Sequence, residues 1–141
     1  MKLKKKIPLI DQHDKSGFWG GKFGGNFIPE TLKKPVEDLT ILFQKLRHNK
    51  QFLKQRDLHF KNYIGSPTSF VKLENLSNHL RGAQIYAKMV SEANGGAHKI
   101  YNAKVHCLIA QKAGKKYVVG ATGAGYAGKM LSMAAKKFGL K

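Results

Sequence analysis

The sequence predicts an α/β domain: a short parallel sheet flanked by helices, with a glycine- and aromatic-rich arm before it. Three observations carry this expectation. Residues 100–113 hold an apolar pattern of helical period; "KYVVG" (116–120) is a short apolar run of the kind buried in parallel sheets; and "ATGAG" (121–125) leads into a last helical pattern. Strand, helix, strand, glycine loop, helix is the rhythm of an α/β fold. With 141 residues and an apolar fraction of 42%, the chain has the length of one ordinary domain and enough apolar content to bury a core, which argues against a disordered chain.

Residues 1–16 read as a basic lead-in without sustained period. The apolar stretch at 7–10 is too short and interrupted for a signal-peptide core, and no run is long enough to cross a bilayer. The single cysteine, Cys107, cannot form an internal disulfide and reads as a small core residue. A cytoplasmic protein is the expectation, with no membrane contact. "GFWGGKFGGNFIPETL" (17–32) combines four glycines at 20, 21, 24 and 25 with Phe18, Trp19, Phe23 and Phe27. It predicts an arm that packs by its aromatics onto the body of the domain. A phosphate-cradling loop is the sharper alternative, but no strand precedes the glycines.

From Thr31 the pattern is helical. Leu39, Leu42, Phe43 and Leu46 fall on one face, and Pro35 is tolerable if it lies in the first turn. A second helix is expected over 51–62, a break at "GSP" (65–67), a strand over 70–73 and a small helix over 74–80. "QIYAK" (84–88) alternates like a strand. Ile100, Ala103, Cys107 and Leu108 share one helical face and Val105 and Ile109 another, so this helix is expected to be covered on two sides and to end at Gly114. Leu131, Ala134, Ala135 and Phe138 mark the final helix.

Sites in α/β folds sit where strands give way to helices, and both "GGAHK" (95–99) and "ATGAG" fall there. Lys99 stands at a helix amino terminus, whose partial positive charge favours the neutral amine and makes a cation unwelcome. A neutral amine can attack a carbonyl and form a Schiff base. Pyridoxal phosphate matches, with its aldehyde at Lys99 and its anion at nearby backbone donors; a solvated helix-start lysine is the plainer reading. The Thr122 hydroxyl and the amides of Gly123, Ala124 and Gly125 suit a carboxylate or phosphate, or else form an ordinary strand-to-helix turn. His13, His48, His59, His79 and His106 show no ligand spacing, so no metal site is predicted.

"GFWGGKFGGNFIPETL", "NYIGSPT", "GGAHKIYNA" and "ATGAGYAG" stand in the order and at about the separations seen in the amino-terminal part of the tryptophan synthase β subunit family. The resemblance runs from about Gly17 to Leu140. It implies fold-type II pyridoxal-phosphate architecture, with Lys99 as the catalytic Schiff-base lysine. His98 and Asn102 join it in holding the cofactor, and Thr122, Gly123, Ala124 and Gly125 bind the substrate carboxylate. The family reaction joins L-serine and indole to give L-tryptophan.

The departures cluster at the chemistry. Ala121 stands where the family has a glutamate that moves protons, and an alanine cannot do so. Tyr126 and Ala127 replace the usual glutamine and histidine, Gly95 a threonine, Tyr101 the first of two asparagines, and Met89, Val90 and Ser91 an arginine, glutamate and aspartate. The family's glycine-rich phosphate loop and its pyridine-side serine have no counterpart. Residues 17–141 are therefore expected to be a truncated amino-terminal region of a tryptophan synthase β-like domain, inactive as an isolated chain. The implied partners are a tryptophan synthase α subunit, a complementing carboxy-terminal β chain that restores a split enzyme, or a second copy of this chain.

A basic protein that reuses the fold on nucleic acid is the alternative, because 26 Lys+Arg against 8 Asp+Glu leave a net charge of +18. Such a surplus attracts any polyanion nonspecifically. Yet lysine greatly outnumbers arginine, only "KLKKK" is dense, and zinc-finger, basic-zipper and RNA-recognition signatures are absent. Affinity for duplex or single-stranded DNA is therefore expected at low salt and lost near physiological ionic strength, as read by a salt titration of binding.

Overall fold

The computed structural model describes residues 8–25 and 27–141, so the first seven residues of the basic lead-in, and Asn26 of the arm, lie outside the described residues. Two compact units are present, Met1–Asp38 and Leu39–Lys141.

In the first unit the glycine-rich stretch is a β-hairpin. β1 (Phe18–Trp19) pairs antiparallel with β2 (Phe23–Gly24), Trp19 opposite Phe23. The Asp14 carboxylate starts the hairpin by accepting from the amides of Ser16 (2.8 Å) and Phe18 (2.9 Å). The Trp19 indole N–H donates to the Leu9 carbonyl at 2.8 Å, and His13 meets the indole edge-on.

The boundary between the units falls within α1 (Glu30–Leu46). Pro35 is not in its first turn but is the sixth helical residue. The helix begins at Glu30, one residue before the expected start at Thr31, and Pro35 leaves the Thr31 carbonyl without its usual i+4 donor.

In the second unit Leu46 packs with Phe52 of α2 (Lys50–His59) and Leu108. Asn49 caps α2 by accepting from the Phe52 amide at 2.9 Å. The chain then makes a π-helical turn (Phe60–Ile64) and stops at Gly65 in the left-handed region, φ +87°. β3 (Phe70–Lys72), α3 (Glu74–Leu80) and β4 (Tyr86–Lys88) follow close to expectation. β3 and β4 pair antiparallel, with Phe70 stacked on Tyr86. The larger core lies between α4 (Lys99–Lys112) and α5 (Tyr126–Lys137), where Ile100, Ala103 and Cys107 meet Met130 and Ala134.

The mixed helix and strand content agrees with an α/β reading, but both sheets among the described residues are two-stranded and antiparallel. Residues 116–120 form no strand. The Val118 N–H donates to the Lys141 carbonyl (2.8 Å) and the Lys141 N–H to the Lys116 carbonyl (2.9 Å). That is the bonding sense of a parallel pair, confined to one residue. A strand forms only where a neighbour satisfies its backbone groups, and Val119, 97% exposed, shows how little covers this segment. Among the described residues no helix is long and apolar enough to cross a membrane.

Lys104 lies inside the fold. It is 1% exposed, and its Nζ has no hydrogen-bond partner; the ammonium sits 3.5 Å from the centre of the Tyr63 ring and 4.7 Å from that of Phe138. Burial, with Lys137 adding repulsion, lowers its pKa to about 8. The native state therefore carries a cost below pH 8. The cost is relieved as pH rises from about 8 towards 10.5, because there only the unfolded chain still holds the proton. Lys104→Met is expected to stabilise the protein at pH 7 by up to roughly 3 kcal/mol, the gain shrinking above pH 8 in urea unfolding series.

Candidate functional site

Two helix starts build the site. The turn before α4 is held by the Gly96 N–H on the Ala93 carbonyl (2.7 Å) and the Asn94 N–H on the Ile64 carbonyl (2.9 Å). α4 then opens with His98 at its cap and Lys99 as its first residue. α5 opens after the "ATGAG" turn, with Gly125 left-handed at φ +82°. Thr122 Oγ1 accepts from the Gly128 N–H at 3.1 Å, giving one of the orphan amides of the helix start a partner. Gly128 is required there, since a Cβ would lie 2.9 Å from the Thr122 methyl.

Because α4 and α5 pack together, their amino-terminal turns border one cavity of about 280 Å³. α4 contributes His98, Lys99, Asn102 and His106, with Ala103 behind them. The facing wall is nearly bare: Gly120, Ala121, Ala127 and Gly128, closed by Leu131. Lys99 and His98 are exposed to the cavity mouth and solvent, and no carboxylate borders the space. A primary amine, two imidazoles and an amide facing small walls suit a flat, anionic molecule with a reactive carbonyl.

The structure thus brings together three of the sequence-predicted residues, His98, Lys99 and Asn102. Thr122, Gly123, Ala124 and Gly125 do not themselves border the cavity, although both flanks of their turn, Ala121 and Ala127, do. His106, read from sequence as a surface or core histidine, belongs to the lining. Its place was legible in the spacing, because 99, 102 and 106 fall on one helical face. Among the described residues no group of three or more His, Cys, Asp or Glu is placed to hold a metal ion.

Three residues that depart from the family motifs are taken up in packing. The Tyr101 hydroxyl shares a 2.7 Å hydrogen bond with Ser66 Oγ, and its ring meets Phe60 edge-on. The Tyr126 hydroxyl donates to the Gly95 carbonyl at 2.7 Å. Gly95, at φ +99°, has no room for a side chain: a Cβ would lie 2.5 Å from the Met130 sulfur.

No family model matches the chain. It is 38% identical over 128 residues to the tryptophan synthase beta chain of Fusobacterium nucleatum subsp. nucleatum, a match covering 91% of this chain and 32% of that protein. It is 40% identical over 120 residues to the tryptophan synthase beta chain of Bacillus pumilus, covering 85% of this chain and 30% of that protein. The chain spans about a third of the length of the curated relatives it matches, corresponding to their amino-terminal part.

Replacing Thr122 by alanine removes the hydroxyl that accepts from Gly128 and is expected to lower stability by about 1 kcal/mol in urea unfolding, with the far-ultraviolet spectrum unchanged.

Proposed function

We propose that this chain supplies the lysine-bearing wall of a tryptophan synthase β-like pyridoxal phosphate site and does not by itself carry the serine and indole reaction to completion. The observation that carries this reading is the shared cavity, where Lys99, His98 and Asn102 face the bare wall of Gly120, Ala121, Ala127 and Gly128. The residues fit the cofactor. Lys99 offers a primary amine to its aldehyde, His98 and Asn102 offer donors to its oxygens, and the glycine and alanine wall leaves width for a flat ring. When bound, pyridoxal phosphate supplies an electron sink for the bonds around a substrate's α-carbon.

The chain's own residues then have limited work. Lys99 would hold the cofactor and His98 and Asn102 would orient it, while the 122–125 turn, which lies beside the cavity and not in its lining, would offer backbone donors only to a carboxylate reaching past Ala121 and Ala127. The carboxylate that moves protons in the family has no counterpart in the lining. Ala121 cannot take that role, and the lining contains no carboxylic acid in its place.

Exposed apolar side chains support the need for a second polypeptide. Leu39 is 49% and Phe43 45% exposed on α1, and Val119 is uncovered beside the one-residue parallel pair. A complementing carboxy-terminal β-type chain would cover such surface, whereas a polyanion would meet apolar side chains it cannot satisfy. This favours the split-enzyme reading over the nucleic-acid one.

Incubation with pyridoxal phosphate followed by borohydride reduction and peptide mapping is expected to label Lys99 several-fold more than exposed lysines such as Lys112. Lys99→Arg is expected to abolish that preference. Equal labelling of Lys99 and Lys112 in the wild-type chain would remove the cofactor reading.

A further inference from the structure

The segment that delivers Lys99 to the cavity has few ties of its own. His98 caps α4 without a side-chain hydrogen bond, and Gly95 and Gly96 both lie in the left-handed region. What fixes this segment from the far side is α5. Tyr126, its first residue and half-buried, donates its phenol hydrogen to the Gly95 carbonyl at 2.7 Å. One turn later Met130, fully buried, fills the space a Gly95 side chain would take. α5 therefore grips Gly95 twice, once by a hydrogen bond and once by packing.

The same first turn of α5 carries Ala127 and Gly128, which form the opposite wall of the cavity. The phenol thus connects the wall facing Lys99 to the loop that ends at Lys99. We infer that Tyr126 is a positioning residue, whose hydrogen bond to Gly95 sets the 95–98 segment against the start of α5 and so fixes where the Lys99 amine stands in the cavity. The inference deepens the cofactor reading and rests on it for the role of Lys99. The latch itself stands on geometry alone. It also gives each of two sequence departures a physical account: the tyrosine at 126 reaches the carbonyl at 95, and the methionine at 130 leaves no room for a side chain at 95.

The test compares the full wild-type chain with Tyr126→Phe, which removes only the hydroxyl. Amide exchange at Gly96, whose N–H is bonded to Ala93, reports whether the segment is held; exchange at the centres of α4 and α5 reports that the fold is intact. Loss of the bond is expected to speed Gly96 exchange by roughly five- to tenfold while the helix centres stay unchanged. Borohydride trapping with pyridoxal phosphate is expected to show the preference for Lys99 over Lys112 falling by a similar factor, a ratio that a merely stabilising bond would not move. Unchanged Gly96 exchange overturns the inference, as does faster exchange with an undiminished Lys99 preference. Wild-type protein with no Lys99 preference contradicts the cofactor reading instead, and Gly96 exchange alone then decides whether the latch exists.

Discussion

The close packing of α4 on α5 is the constraint on which the site depends. Small residues at the contact, Ala103 and Cys107 on one helix and Ala134 and Ala135 on the other, allow the helices to approach, with Ile100 and Met130 filling the space between. Two helices packed this way bring their first turns to one place. A lysine, an asparagine and two histidines from the cap and one face of α4 then face bare backbone and methyl groups from the start of α5 and the segment before it. Neither "GGAHK" nor "ATGAG" makes a cavity alone; the core between the helices makes it.

The same core carries an opposing cost. Lys104 occupies a position that the α4 stripe requires to be buried, and only aromatic faces receive its ammonium. Cation–π attraction recovers part of the desolvation free energy but does not replace a hydrogen bond or a counter-ion. Exposed Leu39, Phe43 and Val119 add apolar surface that water does not favour.

Much of the secondary structure was legible because it is local. The apolar stripes placed α4 and α5, "GSP" marked the break after α2, and alternation found β4. The misreadings are instructive. Residues 116–120 have the composition of a strand, but strandhood depends on partners elsewhere in the chain, and the described residues offer only Lys141. Pro35 was tolerated only for a first turn, yet α1 carries it as its sixth residue. Lys104 lies four residues from Ile100 and Cys107 three beyond it, so the stripe of 100, 103, 104, 107 and 108 already contained it; its residue type hid it. Lys99, His98 and Asn102 were found by motif, while His106 was weighed only against metal-ligand spacings and missed for that reason.

The central claim is that the two helix starts form one binding surface for a single small molecule. A titration of the amide-labelled chain with pyridoxal phosphate, followed residue by residue by nuclear magnetic resonance, tests it most directly. The account predicts that amides over 98–103 and 120–128 shift together and saturate at one common concentration. Shifts scattered over the surface lysines, or confined to one of the two segments, would contradict it.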